Sequence, residues 1–256
     1  MTDKDWWKPK NLKMLEEVES SKEDITGIDT GGDFGSYKVM LELGDLEKSQ
    51  IRSHNDIQPR YRVRTVKRLL GGLEPLRVLD AGCGLGFTTN ELKRQFPNAK
   101  VYGVDVSSDA IKFARANFPD CEFDCFAIDP DSGDFEVQFD LILAFEFYPF
   151  TRTSDLKEHV RFIRYLLSLL SSRGKLVIYQ LWNNDESLSV NYDKLKSGFS
   201  PFSFSSYPVP VRTVGTLVPF YPLALGLSSM LRRLLYSVFG RKVGENKCIV
   251  VGRSLN

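Results

Sequence analysis

The chain has 256 residues, 42% of them hydrophobic, and its 34 basic and 33 acidic side chains leave a formal net charge of +1. That length and apolar content suit one large α/β domain with a cap better than two independent domains. The balanced charge gives no global basic field for nucleic acid, and no stretch reaches the roughly 18 apolar residues of a membrane span. The four cysteines, Cys83, Cys121, Cys125 and Cys248, are scattered. They form neither a disulfide framework nor a metal-ligand spacing, and no nearby His or Cys pair completes a zinc site around Cys121 and Cys125. With no secretory leader in the sequence, a reducing, cytoplasmic compartment is expected.

Residues 1–50 carry 12 acidic and 7 basic side chains, with Gly31, Gly32 and Gly35 breaking any regular pattern. Leu12 to Val18 fits a short helix. Trp6 and Trp7 read as an anchor on the domain surface or as part of a lid. Residues 51–71 fit a basic helix, with Arg60, Arg62, Arg64, Lys67 and Arg68 on a solvated face and Ile57, Tyr61, Val66, Leu69 and Leu70 on an apolar stripe. Gly71-Gly72 closes it.

The apolar run Leu76 to Leu79 then ends in Asp80, followed by glycines at 82, 84 and 86 and a helical pattern to about Gln95. This is a buried parallel strand, a tight turn and a helix N-terminus. The turn lets backbone approach a ligand, and the helix offers unpaired N–H groups. A pyrophosphate would be repelled by Asp80, whereas a ligand with a cationic amino group would be attracted. The spacing G-x-G-x-G also departs from the dinucleotide pattern. Lys100 to Asp105 forms the second strand. Asp105 lies 19 positions beyond Gly86, where an acid can accept from both hydroxyls of a ribose. Taken alone, Asp105 would serve NAD equally well; paired with Asp80 it favours a cationic nucleoside. Ser107 or Ser108 caps a helix from Asp109 to Phe118.

Asp80-x-Gly82-x-Gly84-x-Gly86 resembles the first motif of class I S-adenosylmethionine-dependent methyltransferases, over about Leu76 to Leu181 and more weakly to the C-terminus. The resemblance implies an α/β, Rossmann-like fold: a seven-stranded, mostly parallel sheet with an antiparallel last strand, helices on both faces and an N-terminal cap or lid. It implies S-adenosyl-L-methionine as cofactor, held by Asp80, Gly82, Cys83, Gly84, Gly86, Asp105, Val106, Ile128, Asp129 and Phe145. Val106 and Ile128 would flank the adenine. Asp129 would contact its amino group, or would simply be a turn acid before Pro130.

Further along, Cys121 to Ile128 reads as the third strand. Phe139 to Phe145 resembles the family's F-D-L-I/V fourth strand. Beyond it, Glu146-Phe147-Tyr148-Pro149-Phe150 faces the transferring methyl group in this reading. No amide or acid directly precedes Tyr148-Pro149-Phe150, which argues against methylation of nucleobase or glutamine nitrogen. Asp155 to Ser171 is an amphipathic helix with His159 at its edge, read as a surface histidine. Gly174 to Gln180 is the fifth strand. Residues 182–198 are polar and include a short helix. Phe202 to Tyr207 forms the sixth strand, and Lys247 to Gly252 an antiparallel seventh between the fifth and sixth.

Between the last two strands lies an apolar insertion, residues 208–244. Its helical half places Leu227, Met230, Leu231, Leu234, Leu235 and Val238 on one face, opposite Ser228, Ser229, Arg232 and Arg233. Packing on the core or on a second subunit is the leading reading of that helix, ahead of a substrate-pocket wall and an interfacial membrane helix. The organisation expected is a cap over residues 1–70 and a methyltransferase domain over 71–256. The activity expected is O- or N-methylation of a small-molecule acceptor, with His54, Glu146 and Tyr148 (and, further off, Tyr61) as candidate catalytic groups, no metal and a possible homodimer. A non-catalytic scaffold of the same fold and an RNA methyltransferase are the alternatives.

Overall fold

A computed structural model describes residues 7–9, 59–131, 133–145, 147–151, 153–180, 198–210, 214, 217–218, 220–239 and 247–253. Expectations for Leu12–Val18, Trp6, His54, Glu146 and residues 182–197 lie outside them.

The apolar runs form strands β2 (Arg77–Ala81), β3 (Lys100–Asp105), β4 (Glu122–Cys125), β6 (Phe139–Phe145), β7 (Leu170–Gln180), β8 (Phe202–Pro208) and β9 (Lys247–Arg253). They make one seven-stranded sheet in the order β4-β3-β2-β6-β7-β9-β8. β2 pairs in parallel with β3 and β6, β3 with β4 and β6 with β7; β9 runs antiparallel to both β7 and β8. The order reverses at β2, and the glycine turn leaves β2 at that point, where open α/β sheets bind ligands. A separate two-stranded pairing, absent from the sequence reading, joins β1 (Trp7–Pro9) antiparallel to β5 (Gly133–Phe135), with Trp7 opposite Phe135.

Alternation along the strands divides the core into two layers, as expected of a sheet covered on both faces. Leu79, Tyr102, Ile142, Leu176 and Ile249 face helix α4 (Leu156–Ser168), which contributes Phe162, Ile163 and Leu166. On the other face, Val78, Val101, Leu141, Val177 and Val250 meet three helices. These are α1 (residues 59–69), α2 (Phe87–Gln95) and α3 (Ser108–Asn117). Tyr61, Val63, Val66 and Leu70 put α1 into this core, although the sequence grouped it with the cap. Gly71 and Gly72 end it at φ +62° and +85°.

Local chemistry sets the element boundaries. The Ser107 hydroxyl accepts from Ala110 N at 3.3 Å to start α3, and the Asp155 carboxylate accepts from Lys157 N at 2.9 Å to start α4. Asp140 ties three strand starts together: one oxygen accepts from the N–H groups of Leu76 (2.9 Å) and Arg77 (3.1 Å), the other from the Ser171 hydroxyl (2.6 Å).

Two expected boundaries and one expected exposure shift. The third strand is shorter, Glu122–Cys125, with Phe126 N giving the last bond to β3 at the Asp105 carbonyl, 3.1 Å away. α4 stops at Ser168 and β7 begins at Leu170, because Phe139 N pairs with the Leu169 carbonyl and draws the chain into the sheet. His159 is fully buried, correcting its reading as a surface residue. Its Nε2 pairs with the Thr153 carbonyl at 2.8 Å and its ring packs edge-on against Phe150, 5.4 Å between centroids. Desolvation lowers its pKa, so it is a neutral strut fixing the loop after β6 to α4.

The insertion carries helix α5 (Tyr221–Phe239). Its orientation differs from the sequence reading. Ala224 and Ser228 are fully buried, while Leu227, Met230, Leu234 and Val238 are exposed. The Ser228 hydroxyl donates to the Ala224 carbonyl at 2.6 Å, which satisfies it inside the core.

Candidate cofactor site

Asp80 is the penultimate residue of β2 and is 1% exposed. In register it lies between Gly103 of β3 and Leu143 of β6. The Thr89 hydroxyl, in the first turn of α2, donates to Asp80 Oδ2 at 2.7 Å. Burial is the main cause that pushes the Asp80 carboxyl up to about 7. Thr89 opposes this, Asp105 adds to it, and the Arg62 guanidinium opposes it. A carboxyl in this state is divided between its neutral and ionised forms near neutral pH, and an arriving cation favours the ionised form.

The glycine turn that follows is held down by Gly82 N and Cys83 N, which donate to the Val104 carbonyl at 2.8 and 2.9 Å. Gly82, Gly84 and Gly86 all have positive φ, +74°, +52° and +80°. Gly86 is the N-cap of α2 and has no side chain for capping. Room as well as φ requires glycine there: a Cβ would lie 2.9 Å from Ala114 Cβ and from the Phe123 ring. Cys83 is buried, and burial, followed by the charges of Asp80 and Asp105, pushes its thiol well up. It packs as a small apolar side chain, not as a nucleophile.

Asp105 closes the turn from the neighbouring strand. Its Oδ2 accepts from Gly84 N at 2.8 Å and its Oδ1 from Ser107 N at 2.9 Å. Burial raises its pKa, with the N–H groups of Ser107, Gly84 and Val106 opposing. Carboxylate oxygens have two acceptor directions each, so this arrangement orients the group and leaves acceptor capacity for a diol.

Val106 is half-buried and Ile128 buried at the ends of the next strands. Asp129 Oδ1 accepts from Asp131 N at 2.8 Å and from Arg161 Nη2 at 2.9 Å, so it caps a turn and pairs with α4. Arg161 also pairs with Asp131 and Glu158.

On the other side, Phe145 is buried and its ring meets Tyr179 of β7 at 5.1 Å. The Arg62 guanidinium lies 5.2 Å over that Tyr179 ring. The Tyr61 hydroxyl donates to the Pro210 carbonyl, and its pKa is raised, chiefly by desolvation. Tyr148 packs edge-on against Phe162, 5.5 Å between centroids. Its pKa is raised too, first by desolvation and then by Glu158. Both shifts disfavour phenolate at neutral pH. Among the candidate catalytic groups, His54 and Glu146 lie outside the described residues.

Three contributors were not singled out in the sequence. Thr89 holds Asp80, with only its place three residues after Gly86 as a signal. Phe147 lies over the turn, its Cδ2 3.0 Å from where a Gly82 Cβ would stand. Arg62, over the Tyr179 ring and close enough for its charge to lower the Asp80 pKa, is indistinguishable by pattern from its basic neighbours.

The fold and this turn define an α/β domain that binds a nucleoside-type ligand at the C-terminal ends of its strands. Residues 74–201 match the family model described as a methyltransferase domain, half of the chain, and the chain belongs to that family. Among curated relatives, the trans-aconitate 2-methyltransferase of Escherichia coli O7:K1 (strain IAI39 / ExPEC) is 33% identical over 103 residues, 40% of this chain and 37% of that protein. The chain spans less than half the length of the curated relatives it matches, from 20% to 47% of them. Solved methyltransferase structures share the fold. Plantazolicin methyltransferase BpumL, in complex with a pentazolic desmethylPZN analog and SAH, aligns with a TM-score of 0.51 at 16% identity over 95% of this chain and 100% of its own. Magnesium protoporphyrin IX methyltransferase (ChlM) from Synechocystis PCC 6803, with bound SAH, aligns with a TM-score of 0.52 at 15% identity over 88% and 96%.

Proposed function

We propose that this protein transfers the methyl group of S-adenosyl-L-methionine to a small-molecule acceptor at oxygen or nitrogen. The observation that carries the reading is the pairing of buried Asp80 with Asp105 across the left-handed glycine turn, a site for a ligand with an ammonium at one end and a ribose at the other. Asp80 takes the ammonium of the amino-acid end. Gly82, Cys83, Gly84 and Gly86 bring backbone against it. The Asp105 carboxylate, oriented by Gly84 and Ser107, accepts from the ribose hydroxyls. Val106 and Ile128 border the adenine, and Asp129, steadied by Arg161, stands at its amino edge. The relative that acts on trans-aconitate fits an acceptor of metabolite size.

The sulfonium methyl is already activated, so the chain has to align donor and acceptor and keep water out. Phe145, Phe147, Tyr148 and Tyr179 supply an aromatic wall where β6 and β7 end. Tyr148, with its phenol held protonated, suits hydrogen bonding to the acceptor better than proton abstraction. His54 and Glu146 are the proposed proton acceptors for a hydroxyl acceptor.

Calorimetry with S-adenosylmethionine and S-adenosylhomocysteine tests the cofactor assignment; absence of binding to folded protein rejects it. Release of S-adenosylhomocysteine over a panel of carboxylic acids, phenols and amines then tests transfer. Binding without release over the whole panel would favour a non-catalytic role.

A further inference from the structure

α5 is fastened to the domain by its small and polar side. Ala224 and Ser228 are fully buried, Arg232 Nη2 donates to the Val209 carbonyl at 3.1 Å and the Tyr221 hydroxyl donates to the Pro208 carbonyl. Five of its large apolar residues point outward instead, while Leu225, Leu231 and Leu235 are half-buried. Leu223, Leu227, Met230, Leu234 and Val238 are 53%, 40%, 70%, 56% and 62% exposed. Their spacing of three and four residues makes one continuous strip along the helix. Leu217 and Phe220, 76% and 64% exposed, extend apolar surface ahead of it. A helix of a free-standing domain turns such a strip inward, and an exposed one of this length marks an interaction surface.

The charge distribution says what kind. Residues 194–244 hold seven basic side chains (Lys194, Lys196, Arg212, Arg232, Arg233, Arg241, Lys242) and no acidic one, while the rest of the chain holds 27 basic and 33 acidic. A segment of net charge +7 thus stands on a chain of net +1. Arg233, exposed and three positions after Met230, flanks the strip. An apolar strip set in a wholly basic segment is complementary to an anionic lipid surface.

We propose that α5 docks the protein on an anionic bilayer, lying in the headgroup region with the Leu223-to-Val238 strip inserted and Arg233 beside it on lipid phosphates. Among the described residues no helix is long and apolar enough to cross a membrane, which fits contact from one side. A second copy on the strip would bring two acid-free segments together, and a nucleic acid would leave the aliphatic side chains unused.

Co-sedimentation with vesicles tests this. The protein should bind phosphatidylcholine vesicles containing phosphatidylglycerol and bind pure phosphatidylcholine weakly. The variant Met230→Ser/Leu234→Ser should lose roughly tenfold or more in partitioning, with an unchanged circular dichroism spectrum and melting temperature because both side chains face solvent. Failure of the folded protein to bind anionic vesicles overturns the proposal. So does equal binding by the double variant, which would make the attraction purely electrostatic. Sedimentation equilibrium without lipid supplies the remaining outcome: a dimer abolished by the same substitutions, with no vesicle binding, assigns the strip to a second copy. None of these results bears on methyl transfer, since neither residue touches the cofactor site.

Discussion

The Thr89 hydroxyl reaches back across the glycine turn and donates to the Asp80 carboxylate at 2.7 Å, both groups buried. The strand end and the helix start are thereby joined around the position proposed for the cofactor's ammonium. Thr89→Val keeps the shape and removes the donor. A hydrogen bond to an ionised group contributes about 1.5–3 kcal/mol, so S-adenosylmethionine should bind about tenfold more weakly or worse, with stability reduced by about 1 kcal/mol. Calorimetry on the folded variant reads this; unchanged affinity would mean that Asp80 does not meet the ligand.

Asp80 also gives the empty protein a pH signature. Its folded carboxyl, pushed up to about 7 chiefly by burial, ionises in the unfolded chain near 4. Below about pH 4 it is protonated in both states and its stabilising contribution is complete. As pH rises through the interval to about 7 the unfolded chain ionises first, so stability falls, and it levels off above. Asp105, also raised by burial, acts with the same sign. Asp80→Asn should therefore unfold at higher denaturant than the parent near pH 8, by on the order of a few kcal/mol, and show little difference near pH 4. Cofactor affinity of the parent should climb with pH and flatten above about 7; the Asn variant should bind weakly throughout.

Asp105 offers a sharper test because both of its oxygens already accept backbone N–H groups. Asp105→Asn replaces one acceptor by a donor that must face Gly84 N or Ser107 N. The turn then loses a hydrogen bond and keeps an unsatisfied pair, costing about 1–3 kcal/mol. Binding should fall further than stability, by more than about tenfold, because the ribose loses its acceptor as well. Asp105→Ala should relieve the donor clash yet bind no better. If Ala restored binding, the carboxylate would be serving the turn and not the ligand.

The sequence exposed much of this architecture because its strands are buried on both faces and are bounded by residues with single-minded chemistry. Lys100–Asp105 matches its strand to the residue, Ser107 is the one of the two candidate serines that caps α3, and Asp80, Gly82, Gly84, Gly86 and Asp105 lie together around the turn. What stayed hidden depends on packing between distant segments. His159 lies on a face that periodicity marks as an edge, yet it is enclosed because Phe150 and Thr153 pack against it. α5 misled for the opposite reason: its hydrophobic period is real, but its small face is the one that packs. Pattern alone cannot separate an apolar stripe that meets the core from one that meets something else.

Gly103 shows how a position with no chemical signal can control the site. It lies mid-strand in β3, opposite Asp80 on one side and Phe123 on the other. Its backbone is ordinary extended strand, so any residue could adopt its conformation, but a Cβ would come within 2.7 Å of the Phe123 ring and 3.0 Å of Cys83 Sγ. The same Phe123 ring stands 2.9 Å from a Cβ at Gly86, behind the glycine turn. Gly103→Ala therefore presses on a ring that also stands against the glycine turn. The expected cost is about 1–3 kcal/mol from overpacking, together with weaker cofactor binding as Gly86 shifts. Phe123→Leu removes the obstructing ring edge and itself costs about 1 kcal/mol in lost packing. Combined, the two should cost less than the sum of the single changes by about 1 kcal/mol, and binding should recover toward that of Phe123→Leu alone. Denaturant unfolding and calorimetry on the four proteins of this cycle measure both effects. Strict additivity would place the obstruction at Cys83 instead, and Cys83→Ala would then be the change that rescues Gly103→Ala.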